Sequence, residues 1–78
     1  MDAPDIAALE QLSDEDLLTD LAGAHKELTE TYANFRSLVE FRRAATRILS
    51  GRGVSQRKIA ERLGVSQAAV AAYMKGVK

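Results

Sequence analysis

The sequence predicts an all-α protein in which a long N-terminal helix leads into a compact three-helix unit. Three observations predict it. Apolar residues recur at helical spacing along almost the whole chain. Serines stand where helices need N-caps, at Ser13, Ser55 and Ser66. No proline follows Pro4, so the first strong interruption is Gly51-Arg52-Gly53.

Taken in order, Pro4 suits the first turn of a short helix ending near Gln11, with Ile6 and Leu9 as its apolar side. Ser13 then opens a second helix. Asp16 three residues on makes a short capping box, and Asp14 and Glu15 lie near the positive end of the helix dipole. With no breaker before the glycine pair, this helix is expected to span residues 14–49, about 50 Å at about 1.5 Å per residue. Gly23 is its weak point, at a cost of about 1 kcal/mol relative to alanine, and marks the place for a kink or break.

The long helix carries two apolar stripes. Leu18, Leu21, Leu28, Tyr32, Phe35 and Val39 recur on a heptad, widened by Leu17, Ala24 and Leu38, with His25 at one interior position. Residues 4–12 are too few to cover that stripe, so a second copy of the chain is expected to pair there as a homodimer. The alternative is a monomer whose N-terminal segment folds back on its own helix. Further on, the apolar face rotates to Phe41, Ala45, Ile48 and Leu49, which would pack on the helices that follow. The expected organisation is an acidic helical dimerisation extension over residues 1–37 and a second unit over residues 38–78. A lone histidine in an apolar seam fits a register-fixing polar residue better than a metal ligand or catalyst.

Residues 55–75 read SQRKIAERLGVSQAAVAAYMK, two short helices each opened by a serine. Between them Gly64 follows Leu63, where a sharp exit needs a residue that tolerates positive φ. Ile59, Ala60, Leu63, Val65, Val70 and Tyr73 fall on the facing inner sides, and the polar residues stay outside.

The run QRKIAERLGVSQAAVAAYMKG resembles the helix-turn-helix of bacterial and phage DNA-binding regulators of the lambda-repressor and Cro-like kind. Ala60 stands where that family places a small residue, Gly64 at its turn, and Val65, Val70 and Tyr73 at the positions that lock its helix pair. Those domains carry further helices after the recognition helix. The sequence here reaches only Lys78, so the resemblance implies a minimal trihelical form without contacts from later helices.

Composition bounds the remaining choices. Seventy-eight residues allow one small core. The absence of cysteine excludes disulfides and thiolate metal sites. No apolar run approaches a membrane span and the acidic start is unlike a signal peptide, so a cytoplasmic location without membrane contact is expected. No glycine-rich phosphate loop, nucleophile elbow or paired-carboxylate signature is present, which argues against an enzyme and implies no cofactor or metal. The formal net charge is zero, yet the charges are sorted: residues 1–40 hold ten acids and two bases, residues 41–78 nine bases and one acid. A cationic half coinciding with the motif is the footprint of a unit that docks on phosphates.

With Val70 and Tyr73 inward, Ser66, Gln67, Ala68, Ala71, Ala72 and Lys75 form the outer face of the second motif helix, the one that the resemblance sends into the major groove. Gln67 is the expected base reader, its amide matching adenine N6 and N7, while Ala68, Ala71 and Ala72 offer methyl contacts to thymine. The expected phosphate contacts are Arg52, Ser55, Gln56, Arg57, Lys58, Ser66 and Lys75. Arg42, Arg43 and Arg47 either touch flanking phosphates or pair with Glu40 or acids of a neighbouring subunit. The function these expectations describe is sequence-specific binding of double-stranded DNA by a small transcriptional regulator, a repressor or Cro-like phage protein. A recombination accessory, an antitoxin-type autorepressor, and an adaptor that holds a protein partner on its acidic N-terminal half are the alternatives.

Overall fold

The computed structural model describes residues 5–30 and 36–75. These are all-helical, with five helices and no strand among them: α1 (Ile6–Glu10), α2 (Asp14–Glu30), α3 (Arg36–Gly51), α4 (Gln56–Leu63) and α5 (Gln67–Met74). Pro4, Tyr32 and Phe35 lie outside the described residues.

Local chemistry places most of the helix ends. Asp5 caps α1, its carboxylate accepting from the Ala8 amide at 3.2 Å. Ser13 Oγ accepts from the Asp16 amide at 3.1 Å and so opens α2, where Asp14, Glu15 and Asp16 face the positive end of the dipole. The third helix closes in a Schellman turn: Val54 N–H donates to Leu49 O and Gly53 N–H to Ser50 O, both at 3.0 Å, with Gly53 at φ 90°. Gly64 ends α4 in a related left-handed cap at φ 71°, where the Val65 and Gly64 amides both return to Ala60 O. A side chain at either glycine would be held in a region that L-residues avoid.

The expected single helix over residues 14–49 is two helices. Leu17, Leu18 and Leu21 from the start of α2 share one core cluster with Ala45 and Leu49 from the end of α3, so the chain runs back along itself. The greatest extent of the described chain is 29 Å, far short of a straight rod of that length. Gly23, the expected weak point, sits inside an unbroken α2 and is exposed.

Packing corrects the three-helix picture as well. The second helix packs on α3 and α4, and α5 packs on α3 and α4, so four helices close a ring and α1 adds a small lid against α3. Ile59, Ala60 and Val70 join Leu9, Leu17, Leu18, Leu21, Ala45 and Leu49 in that core. One core draws on both halves of the chain, and the division expected at residue 37 is not a boundary between separate cores.

The heptad stripe is used inside the same chain. Leu18, Leu21, Leu28 and Val39, expected to face a second copy, are buried in their own fold, Leu18 and Leu21 within the core that the chain's other helices share. In this fold these four side chains present little surface to a second copy. Ile6 departs from expectation in the other direction, since it is 45% exposed while Leu9 carries the apolar contact of α1.

Candidate nucleic-acid interface

Two serine caps set the frame of the candidate surface. Ser55 Oγ accepts from the Lys58 amide at 3.1 Å, and Ser66 Oγ accepts from the Ala69 amide at the same distance. Each cap uses a lone pair of its hydroxyl and leaves the hydroxyl proton free to donate. Between the caps, the left-handed Gly64 turns the chain from α4 into α5, and Val65 packs against the core.

The inner side of this pair follows the expected pattern. Ile59 and Val70 are fully buried, Ala60 nearly so, and Leu63, Val65 and Tyr73 are half-buried. On the outer side Ser66, Gln67, Ala68 and Lys75 are exposed, whereas Ala71 and Ala72 are half-buried. An exposed amide at the start of α5 beside an exposed methyl is a surface that can hydrogen-bond a planar edge and contact an apolar one. The alanines that follow keep the middle of α5 low, so a close approach meets little steric resistance.

The cations divide into two groups. Arg57, Lys58 and Lys75 are exposed, and Gln56 is half-buried at the start of α4. Arg57 reaches Glu61 one turn on at 3.9 Å, with the two side chains 78% and 69% exposed, a long and solvated pair that holds Arg57 weakly. A phosphate meeting Arg57 therefore competes with little.

The second group is engaged within the molecule. Arg52 donates to Leu12 O at 2.7 Å, to Glu10 O at 2.8 Å and to Asp14 Oδ1 at 3.1 Å, tying the end of α1 and the start of α2 to the end of α3. These bonds use three of the five N–H donors of the guanidinium expected to anchor a phosphate, so a phosphate there would share Arg52 with acceptors of the chain itself. Arg62 does comparable work from α4, pairing with Glu15 at 2.8 Å and donating to Thr19 Oγ1 at 3.3 Å. Arg43 pairs with Glu40, and Arg47 Nε donates to Met74 O at 2.5 Å, at the end of α5. Of the two readings of the arginines on α3, internal pairing describes Arg43.

Arg42 has the least expected position. It is buried, its Cζ lies 3.9 Å from the centre of the Tyr73 ring, and His25 meets the same ring at 5.7 Å. Burial holds the Arg42 guanidinium below its ordinary range, with the facing Tyr73 acting in the opposite sense. The group nonetheless stays charged, as arginine does throughout the accessible pH range. Burial and then the Arg42 charge lower the His25 pKa from its ordinary 6.5. Sequence reading missed this junction, and also missed Arg62. A basic residue at an inward helical position marks the first, whereas the Arg62 contact joins residues 47 positions apart and leaves no local trace.

No group of three or more His, Cys, Asp or Glu side chains that could hold a metal ion occurs among the described residues, and no described helix is long and apolar enough to cross a membrane. Comparison of the chain with protein-family models, with curated proteins and with solved structures returned no match.

Proposed function

We propose that this protein binds double-stranded DNA in a sequence-specific manner as a small transcriptional regulator, with α5 as the helix that enters the major groove. The observation that carries the reading is the pair α4 and α5, capped at Ser55 and Ser66 and joined through a left-handed Gly64, with Gln67 and Ala68 exposed on the outer side. Arg57 and Lys58 at the start of α4 and Lys75 at the end of α5 supply exposed cations for phosphates on either side. Gln67 is the base reader, with Ala68 the better placed of the methyl contacts because Ala71 and Ala72 are partly covered. The acidic half supports the adaptor alternative less well, since Asp14 and Glu15 are engaged with Arg52 and Arg62.

Selection of bound duplexes from a random pool tests the reading. An enriched site of a few base pairs, with affinity that falls as salt rises, is the expected result. A symmetric site with half-sites roughly 34 Å apart would mean two copies bind together, joined through a surface other than the buried leucine stripe. Recovery of no enriched sequence, with no retention of any duplex at low salt, would overturn it.

A further inference from the structure

We propose that His25, Arg42 and Tyr73 form an acid-sensitive latch that holds the C-terminal half of α5 on α2 and α3, and that a proton on His25 opens it. The three residues come from three helices. The His25 and Tyr73 rings are tilted at 48° with centroids 5.7 Å apart, and the Arg42 guanidinium lies over the same Tyr73 ring at 3.9 Å. His25 is 7% exposed and Arg42 8%, and within this contact His25 Nδ1 and Arg42 Nε are buried without a hydrogen-bond partner.

A neutral imidazole tolerates an unused lone pair at Nδ1. A protonated one places an N–H there with nothing to receive it, and adds a second buried positive charge beside the guanidinium. The surrounding charges do not offset this. On α3, Glu40 is paired with Arg43 and Arg47 turns to Met74 O. Arg62 of α4 meets α2 at Glu15 and Thr19, the latter six residues before His25 and so roughly 9 Å away along the helix. Lys26 and Glu27 follow His25 on α2 and are exposed, as is Lys75 at the end of α5. Among the described residues no carboxylate pairs with Arg42.

The sign of the effect follows from linkage. Because the folded chain resists the proton more than the unfolded one, the contribution is whole above 6.5, the unfolded value, and is lost as pH falls below it. Loss stops once the folded His25 itself titrates. The largest change is roughly tenfold in the folding equilibrium for each pH unit below 6.5. His25 is the sole histidine, so no other side chain of ordinary pKa titrates between pH 5.5 and 7.

The test needs no DNA and is independent of the function proposed above. In the full chain labelled at histidine and tyrosine, the His25 ring should titrate by NMR with a midpoint below 6.5, and the Tyr73 ring signals should move with that midpoint. A His25 midpoint at or above 6.5, or Tyr73 signals that stay still through it, would overturn the latch. Urea denaturation at pH 7.5 and 5.5 supplies a second arm. The folding equilibrium of the wild-type chain should fall by up to about tenfold, and that of His25→Gln should stay nearly level. Equal pH dependence in the two proteins would sink the proposal. Should His25→Gln not fold, the NMR arm decides alone because it uses the unaltered chain.

Discussion

The Arg42 guanidinium stacks on the Tyr73 ring at 3.9 Å, so a buried cation is met by an aromatic face where a carboxylate would be usual. The attraction between a desolvated guanidinium and a ring is worth about 2 kcal/mol, less than the several kcal/mol that burial of a charge costs after relaxation. The two residues are therefore unequal partners.

Removing the ring should hurt more than removing the charge. Tyr73→Ala is expected to lose about 3 kcal/mol, because it leaves a cavity and an unstacked cation together. Arg42→Met, which keeps the apolar stem and deletes the charge, should stay within about 1.5 kcal/mol of wild type or exceed it. Urea denaturation of both variants at pH 7.5 checks the order, and the reverse order would contradict it.

Arg52 is expected to act on stability and not on DNA. Substitution by methionine removes its bonds to Leu12 O, Glu10 O and Asp14, at a cost of about 1 to 2 kcal/mol given its partial exposure. The dependence of DNA affinity on salt should be unchanged in that variant. A salt slope lower by about one would return Arg52 to the phosphate contacts.

Two glycines should respond in opposite directions to alanine. Gly23 is helical and exposed with open space where a Cβ would sit, so Gly23→Ala should stabilise by about 0.5 to 1 kcal/mol. Gly64 also has open space, but its φ of 71° makes Gly64→Ala unfavourable by about 1 to 2 kcal/mol. Thermal melts of the two variants, read against wild type, separate backbone conformation from crowding.

Base reading and phosphate contact are separable by their signatures. Gln67→Ala should cost about 1 to 3 kcal/mol on the selected site and relax one position of the consensus. Lys58→Ala should weaken all sequences alike and lower the salt slope by about one. Binding isotherms over a salt series, on selected and scrambled duplexes, measure both.

Local features were readable from the residues and distant ones were not. Ser13, Ser55 and Ser66 act on amides three residues away, and Gly64 on its own φ, so the helix ends they define follow from neighbouring sequence. The inward set Ile59, Ala60 and Val70 follows from helical spacing for the same reason. The leucine stripe was different. A heptad records that Leu18 and Leu21 need cover, but periodicity is blind to whether the cover is a second chain or the same chain returning. No proline or glycine lies between Gly23 and Gly51 to signal that the chain runs back on itself after α2. Arg52 and Arg62 share this blindness: their acceptors lie some forty positions away in the chain, and a cation in sequence does not say whether its counter-charge is solvent, phosphate or an acid brought close by folding.

The ring of four helices has a practical corollary for anyone wishing to graft the α4 and α5 pair onto another scaffold. Leu17, Leu18 and Leu21 are fully or almost fully buried, each supplying about 1.5 to 3 kcal/mol of burial to a wall that Ile59 and Leu49 also line. A transplant that starts after Glu30 would carry that wall with one side bare, and would be sticky before it was functional. The smallest portable piece thus includes the acidic helix that a reader of charge alone would have trimmed away.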